Sequence, residues 1–481
     1  MKIQIQRKPK LKDALLFAPL FKEDLKKLPG YLPKEAADFV NKRLKAKDFE
    51  GNMGQCLSTY LSDTRFLVLG GGEVEKLKAK EAREFGAKLG KKAKKIGLSV
   101  LFPEVLNEYF GEFLQGLLLS QYRVDLHKTI DKTKPVKKLE IIEFIFEKKP
   151  KNADEIIKYE QKITQGVEYT KDLVNKPSNQ IDPDTFEAEA RKIRRENRYK
   201  IAVLKQKDLE KMGWGGVLAV NSGSGQEARC IVLEYDGGKR SEKPIAIVGK
   251  GIMFDSGGYN LKPTKYIETM HQDMAGAATV LGLFKMLKDL KIKKNIVGIM
   301  PIAENLINEN AYRPSDIIRM FNGKTVEITN TDAEGRLILA DGITYAAELK
   351  PESIITIATL TGAVSVALGD RFAGLVGNDK KLVKALQEAG DRVDELGWEL
   401  PIHEDFRKAL DSKIADMQNC NISKRGAGCQ EGAAFLERFV DKNKWCHIDI
   451  GGTAFTSSPR EFEQQGATAH GFRMLLEYLK N

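Results

Sequence analysis

Short apolar runs alternate with helical patterns along the first part of the chain. Strand-like runs occupy residues 14–17, 66–69, 99–102 and 139–145, and residues 1–6 alternate between polar and apolar positions. Helical patterns near residues 76–96 and 111–122 separate these runs. This periodicity predicts a small α/β domain at the amino terminus.

The later part of the chain contains more continuous apolar runs. These runs are residues 231–233, 245–248, 296–300 and 354–357. Continuous apolar strands with helical patterns between them predict a mostly parallel central sheet covered by helices on both faces. The pattern therefore favours a second, larger α/β domain.

A long helical pattern joins the two parts. It covers residues 153–174 and ends before Pro177, because proline cannot continue a helix. A chain of 481 residues is also too long for one ordinary domain. We therefore predict an amino-terminal α/β domain over residues 1–152, a connecting helix over 153–176 and a larger domain over 177–481.

One octapeptide, residues 330–337, concentrates charged side chains between a predicted strand, 325–329, and a predicted helix, 337–347. The carboxyl edge of an open α/β sheet is where ligands bind. Asp332 and Glu334 would point to the same side of an extended segment, so both could reach one cation. A solvated loop, in which Arg336 pairs with these acids, is the alternative.

A second polar cluster lies upstream, at residues 248–258, and includes Lys250 and Asp255. The glycines that flank Lys250 let the backbone turn at the end of a predicted strand. Asp273 stands just before a helical run of small residues, where an aspartate could also simply cap the helix. Taken alone, Lys250 would be a surface or ion-pair lysine.

Together the two clusters resemble the leucine aminopeptidase family, the dinuclear-metal cytosol exopeptidases. The octapeptide matches that family's signature unchanged. Further likeness is carried by Arg313 and Pro314 and by residues 358–363 and 445–450, so that the resemblance covers most of residues 170–481. It implies a metal-dependent aminopeptidase in which the larger domain is catalytic.

The resemblance also implies a ligand set for two divalent ions, zinc and/or manganese. It assigns Asp255 and Glu334 as bridging ligands, Asp332 to one ion, and Lys250 with Asp273 to the other. Carboxylates that converge in one buried pocket repel one another and require cationic compensation, which two divalent ions supply. A lysine must lose its proton to become a ligand, and nearby dications favour that loss.

Lys262 and Arg336 remain for catalysis. Metal ions polarise a peptide carbonyl and produce a nucleophile from water at neutral pH, and Lys262 would stabilise the oxyanion. By resemblance, Arg336 holds a bicarbonate that acts as general base. A planar, permanently charged guanidinium suits such an anion. The free amino terminus of the peptide would bind one metal, which explains an exopeptidase preference.

The resemblance further implies a side-chain pocket walled by Met270, Thr359, Gly362 and Ala454. These residues are apolar or small, so we expect a broad preference for leucine and other apolar first residues. The expected substrates are peptides in cytosolic turnover, and the expected assembly is a homohexamer.

Composition limits the remaining possibilities. The net charge is +11, and lysine-rich stretches such as residues 7–12, 91–95 and 148–151 carry much of it. Because lysines usually decorate the solvent face of helices, and no nucleic-acid recognition motif is present, nucleic acid is a possible partner but not the expected main role. The rival hypothesis is a DNA-binding or architectural protein with a vestigial peptidase site.

Two further features concern the cellular compartment. The five cysteines are scattered without CxxC spacing, which indicates free thiols in a reducing environment. No apolar stretch is long enough for a signal peptide or a membrane span. We therefore expect a cytoplasmic protein with no membrane partner.

Overall fold

The computed structural model describes residues 1–11, 14–93, 97–124, 129, 139–422, 426–460 and 462–481. The chain divides into two compact units. Unit 1 comprises Met1–Gln165 with Ser458–Gln464, and unit 2 comprises Gly166–Ser457 with Gln465–Asn481. The predicted division into residues 1–152, 153–176 and 177–481 stays a prediction.

The described part of unit 1 contains a six-stranded sheet in the order β1-β6-β5-β2-β4-β3. Its strands are β1 (Lys2–Ile5), β2 (Leu15–Leu20), β3 (Cys56–Leu61), β4 (Thr64–Gly70), β5 (Gly97–Phe102) and β6 (Ile141–Phe146). Its helices are α1 (Lys34–Lys45), α2 (Ala79–Lys92) and α3 (Phe110–Leu119). Every pairing is parallel except that of β3 with β4.

Apolar side chains from both faces of this sheet form the core of unit 1. Phe85 of α2 and Phe113 of α3 pack edge to face against one side of the sheet, with ring centroids 5.9 Å apart. Val40 of α1 packs with Phe66 on the other. The predicted helix over 76–96 is found as α2, although its last three predicted residues, 94–96, lie outside the described residues, as does position 12 of the stretch 7–12.

The boundary between the units falls within the long helix α4 (Ala153–Asn175). The helices of unit 2 are α5 (Pro183–Asn197), α6 (Gln206–Met212), α7 (Gly215–Asn221), α8 (Thr264–Ile267), α9 (Ala275–Leu287), α10 (Gly335–Glu348), α11 (Gly362–Leu368), α12 (Lys380–Val393), α13 (Glu404–Lys408), α14 (Gly428–Glu437) and α15 (Phe472–Lys480).

The described strands of unit 2 are β7 (Lys200–Lys205), β8 (Arg229–Asp236), β9 (Ile245–Gly249), β10 (Gly251–Asp255), β11 (Asn295–Asn305), β12 (Ile317–Arg319), β13 (Thr325–Glu327), β14 (Ser353–Ala358), β15 (Ala373–Gly377), β16 (Gly397–Glu399), β17 (Met417–Gln418), β18 (Trp445–Asp449), β19 (Phe455–Thr456) and β20 (Gly466–Ala467). Most of them form one large sheet. The order in the large sheet is β16-β15-β18-β14-β9-β11-β8-β7, and β10 pairs with β11.

The centre of this sheet is parallel and buried. Strands β18, β14, β9 and β11 run in one direction, and β10 joins them at β11. Antiparallel β8 and β15 flank this block. The fold class predicted from the apolar runs, a mostly parallel sheet covered by helices, is therefore confirmed.

The strand predicted before the octapeptide differs from expectation. It is shorter than residues 325–329, and as β13 it belongs to a separate three-stranded sheet with β12 and β17. The octapeptide therefore does not follow a strand of the central sheet. Because alternation alone reports only an extended segment, it could not reveal which sheet the segment joins.

Two global expectations can be compared with the structure. None of the five cysteines is in a disulfide, as the scattered spacing predicted. Across the described ranges, no helix combines the length and apolar character needed to span a membrane.

Candidate metal centre

Polar residues gather at the carboxyl ends of the parallel strands in unit 2. Lys250 follows β9, Asp255 ends β10 and Thr359 follows β14. The strand ends are held together by the main chain, since the N–H of Lys250 donates to the carbonyl of Ile357 at 3.1 Å. This edge of an open α/β sheet is the usual place for a ligand.

The ammonium of Lys250 lies among acceptors from three different parts of the chain. Nζ is 2.9 Å from Asp273 Oδ1 and 2.8 Å from Glu334 Oε1. It also donates to the carbonyl oxygen of Thr359 at 2.9 Å. Lys250 is only 2% exposed, so the alternative of a surface lysine is wrong, whereas the alternative of an ion-pair lysine agrees with its contacts.

Asp273 is positioned to contact Lys250 and does not cap α9. Its Oδ1 accepts a hydrogen bond from the Thr359 hydroxyl at 2.7 Å, while α9 begins without a side-chain cap. Helix α9 approaches the sheet closely because Gly276 has no side chain: a Cβ there would lie 2.2 Å from the carbonyl oxygen of Ile357. The alternative of a helix-capping aspartate is therefore wrong.

Lys262 joins the other two carboxylates. Its Nζ lies 2.8 Å from Asp255 Oδ2 and 2.6 Å from Asp332 Oδ1. Asp255 Oδ1 also accepts from the N–H of Gly257 at 2.8 Å, which fixes the carboxylate at the end of β10. The two groups lie side by side, because ligand atoms of Asp255, Asp273 and Glu334 are within 4.8 Å of one another, and together they form one cluster.

The acidic residues of the octapeptide reach this cluster through a turn, not through the extended segment that was predicted. Asp332 lies in the turn, and Glu334 already has helical backbone angles as the residue before α10. Gly335 then makes room for the lysine, since a Cβ there would lie 2.5 Å from Lys250 Cε. Asp332 pairs with Lys262 and Glu334 pairs with Lys250, so the two acids face different cations.

The cluster carries more negative than positive charge when all its groups are ionised. Burial raises the pKa of Asp273 to about 8, and neighbouring Glu334 and Asp255 add to the increase although Lys250 opposes it. Burial together with Asp255 and Glu334 raises the pKa of Asp332 to about 7. Crowded carboxylates of this kind resist ionisation unless more positive charge is supplied.

The other members of the cluster respond to the same crowding. Burial opposes ionisation of Glu334, but the ammonium groups of Lys250 and Lys262 outweigh it and lower its pKa. Burial also disfavours the charged form of both lysines, yet the surrounding carboxylates raise the pKa of each. Without metal, both lysines are therefore ammonium groups, and Lys250 must lose its proton before it can be a ligand.

These residues fit a divalent cation. Ligand atoms of Asp255, Asp273 and Glu334 all lie within 4.8 Å of one another, and all three residues are buried. Asp273 Oδ2 and Asp332 Oδ1 are buried and lie within 3 Å of a lysine, but neither receives a hydrogen bond of good geometry from any described residue. Their lone pairs therefore remain available to a metal ion.

Arg336 lies in the first turn of α10, is 7% exposed and does not pair with the acids of the octapeptide. Its Nη1 donates to the carbonyl oxygen of Asn419 at 2.7 Å, and its buried Nε has no hydrogen-bond partner in the described part of the chain. Within the described ranges it forms no ion pair. The alternative in which Arg336 neutralises Asp332 and Glu334 is therefore wrong for this structure.

The four predicted pocket residues occupy different positions around the cluster. Thr359 contacts it directly, and Met270 lies three residues before Asp273 in a short 3-10 helix. Gly362 begins α11 and faces open space, since a Cβ there would meet no atom within 4 Å. Ala454 is buried after β18. Their shared role as pocket walls stays a prediction.

Three polar residues that support the site were missed by sequence reasoning. Asn305 donates to Asp255, the Asn419 side chain donates to the carbonyl oxygen of Asn330 at 2.7 Å, and Asp449 accepts from the Thr361 hydroxyl at 2.7 Å in the loop that contains Thr359. Asn305 and Asp449 both end parallel strands. Polar residues at the ends of apolar runs were therefore the available signal.

Comparison with known proteins gives a consistent result. Residues 168–476 match the family model described as "Cytosol aminopeptidase family, catalytic domain". A probable cytosol aminopeptidase of Geobacter sulfurreducens is 42% identical over 374 residues, which cover 77% of this chain and 74% of the relative. One from Nitrosococcus oceani is 35% identical over 489 residues, covering 98% and 96%.

A solved structure is also similar over nearly the whole chain. The bottromycin maturation enzyme BotP in complex with Mn superposes with a TM-score of 0.85 and 26% sequence identity. The match covers 98% of this chain and 99% of BotP.

Proposed function

This chain belongs to the cytosol aminopeptidase family and is a metal-dependent aminopeptidase of the leucyl type, and from that premise we propose how its site works. We propose that it releases leucine and other apolar residues from the amino termini of peptides. Two divalent ions, zinc and/or manganese, would be held by the cluster around Lys250. The role would be peptide turnover in the cytoplasm, carried out by a homohexamer.

One observation carries this proposal. Three buried carboxylates, Asp255, Asp273 and Glu334, bring ligand atoms within 4.8 Å of one another around Lys250. Oxygen-rich ligand sets suit manganese, while zinc accepts both carboxylate and nitrogen ligands. The proposed assignment has Asp255 and Glu334 shared between the ions, Asp332 on one ion, and Lys250 with Asp273 on the other.

When bound, such ions polarise a peptide carbonyl and lower the pKa of a water molecule. Lys262 would then act on the substrate. Its ammonium is held between Asp255 and Asp332, and their charge keeps it protonated because they raise its pKa. A fixed, partly exposed ammonium can donate a hydrogen bond to the carbonyl oxygen as that oxygen gains negative charge.

Arg336 would supply the second catalytic function by holding a bicarbonate. Its guanidinium is buried, bonds one carbonyl and has an unpartnered Nε, so part of its hydrogen-bonding capacity is available to an anion. Held there by Arg336, the anion would supply general-base chemistry at the site. Thr359, together with Met270, Gly362 and Ala454, would contact the first side chain of the peptide.

The proposal is tested by metal content and peptide release measured on the same preparation. We expect two divalent ions per chain, release of leucine from a leucyl peptide and no release from the N-acetylated peptide. Asp255→Ala should lose both ions, because its carboxylate is shared, whereas Asp273→Ala should mainly lose one.

A control variant separates these effects from general damage. Glu187→Ala removes another carboxylate that is 7% exposed and bonded to cations, but Glu187 belongs to α5 and is bonded to Lys205 and Arg229 instead of the cluster. It should keep both ions. If Asp255→Ala retained two tightly bound ions and normal turnover, the ligand assignment would be wrong.

A further inference from the structure

Asn305 lies at the carboxyl end of β11, between the two segments that carry Asp255 and Asp332. Its side-chain Nδ2 donates to Asp255 Oδ1 at 2.8 Å and to the carbonyl oxygen of Thr331 at 3.0 Å. Asp255 and Asn305 are register partners in the pairing of β10 with β11. One amide group therefore holds a proposed ligand and the main chain next to another.

The identity of the atom that faces these acceptors follows from the contacts. Asp255 Oδ1 and the Thr331 carbonyl oxygen are both acceptors toward Asn305, so the side-chain nitrogen and not the oxygen must face them. The opposite orientation would place an oxygen against two oxygens. The amide nitrogen supplies both of its hydrogens in this arrangement.

The surrounding bonds make Asn305 the common anchor of both segments. The N–H and the hydroxyl of Ser256 donate to the main-chain carbonyl of Asn305 at 2.9 and 2.7 Å. The hydroxyl of Tyr312 donates to the same Thr331 carbonyl at 2.6 Å, and the Thr331 hydroxyl donates to Gly257 at 2.6 Å. The loop after Asp255 and the turn before Asp332 are thus tied to one strand end.

This arrangement has an energetic cost at the side-chain oxygen of Asn305. Asn305 is fully buried, and its Oδ1 has no hydrogen-bond partner among the residues that the structure describes. An unpaired buried polar atom costs free energy that an apolar residue would avoid. The amide is therefore poorly explained by stability alone, and its two directed bonds point to a role in the site.

We propose that Asn305 is a positioning residue of the metal centre. It turns Asp255 so that Oδ1 is occupied by the amide while Oδ2 faces Lys262, and it sets the distance between Asp255 and the turn that carries Asp332. This role rests on the proposed function, because it assumes that both carboxylates bind metal. Groups that orient metal ligands typically change metal affinity or activity by about 10- to 100-fold when they are removed.

The test measures manganese affinity of the full-length protein by competition with a chelating dye. Asn305→Ala should raise the Kd for Mn²⁺ by about 10- to 100-fold. The melting temperature of the metal-stripped protein is measured alongside, so that loss of affinity can be compared with loss of stability.

Asn221 provides a matched control. It is another buried asparagine, 5% exposed, whose Nδ2 donates to Gln226 at 2.6 Å and whose Oδ1 accepts from the N–H of Glu304 at 3.0 Å. Asn221→Ala therefore removes the same atoms close to the same strand end without touching the cluster. It should lower the melting temperature and leave the Kd for Mn²⁺ unchanged.

A Kd for Asn305→Ala within about tenfold of the Asn221→Ala value would overturn the positioning role. If the alanine variant does not fold, Asn305→Leu keeps a similar volume and removes the same donor, and the same limit applies. If the unaltered protein binds no divalent ion, the proposed function itself fails. If the unaltered protein binds metal and the Asn305 variants bind it equally well, only the positioning role fails.

Discussion

Arg336 is buried but forms no ion pair with the described residues. A buried guanidinium is costly unless it is paired, and the carboxylates nearest in sequence, Asp332 and Glu334, pair with lysines instead. The carbonyl oxygen of Asn419 satisfies only one of its five donors. The charge of Arg336 is therefore compensated incompletely by the described residues, which favours an anion as its partner.

Replacing Arg336 tests that partner directly. We expect Arg336→Ala to lower kcat by about 10²- to 10⁴-fold, the usual value of general acid–base assistance, with unchanged metal content. Bicarbonate added to carbonate-free buffer should stimulate the unaltered enzyme and have little effect on the variant. Metal content, kcat and the bicarbonate response are measured on the same preparations. Metal loss that accounts fully for the lost activity would refute the assignment.

At the scale of elements, α10 carries the Arg336 of the site in its first turn and a further buried carboxylate, Asp341, later in the helix. Asp341 is fully buried, its Oδ2 accepts from the N–H of Val217 at 2.9 Å, and its Oδ1 accepts from the N–H of Phe321 at 3.0 Å. Burial raises its pKa to about 7 from an ordinary value near 3.8, although these main-chain bonds oppose the change. Asp341 therefore ties α7 and α10 together at a cost that depends on pH.

The sign of that pH dependence can be tested. Because the pKa is higher in the folded protein, folding is favoured by protonation, and this stabilisation is fully present below about pH 4 and lost as the pH rises through about 7. Asp341→Asn cannot ionise, so its melting temperature relative to the unaltered protein should rise between about pH 5 and pH 8. A difference that is independent of pH would contradict this account.

The elements also show what the sequence could and could not predict. Continuous apolar runs identified β9, β11 and β14, because a strand buried on both faces needs apolar residues at every position. The strand predicted over 325–329 was assigned to the edge of the central sheet, whereas β13 belongs to a separate sheet. A short run of residues carries no information about its distant partners. Helix α10 was predicted from residue 337 but begins at Gly335. Glycine is needed there because a Cβ would lie 2.5 Å from Lys250 Cε.

The charged residues of the site could also be predicted, but from a different signal. Lys250 and Asp255 interrupt an apolar run and Glu334 belongs to a charged octapeptide, and the resemblance to a known family assigned all three as ligands. Asn305 is neutral, and its importance depends on two bonds to residues 50 and 26 positions away. Such bonds are created by the register of β10 against β11, which no local pattern specifies.

At the scale of the whole molecule, the assembly is a prediction with a simple test. Several large apolar side chains of unit 2 are exposed in the single chain, including Val366 at 89%, Ile422 at 68% and Ile414 at 61%. Six chains of 53.8 kDa would have a mass of about 323 kDa, which sedimentation analysis measures. A monomer at micromolar concentration would contradict the hexamer.

The net charge of the whole molecule is weaker evidence about its binding partners. The net charge of +11 is compatible with attraction to acidic partners, but lysines exposed on helices give the same sum. The connected ligand cluster argues against a vestigial peptidase site. Nucleic acid as a secondary partner therefore stays a prediction, and it is not expected to be the main role.

The ion pair between Lys250 and Glu334 joins positions that are 84 residues apart in the chain. Lys250 also needs the carbonyl of Thr359, which follows a strand that pairs with β9. The ribosome therefore makes the first proposed ligand long before the last, and a growing chain that ends before Thr359 cannot form these contacts. Under the proposed ligand assignment, metal uptake through this cluster would follow the synthesis of β14.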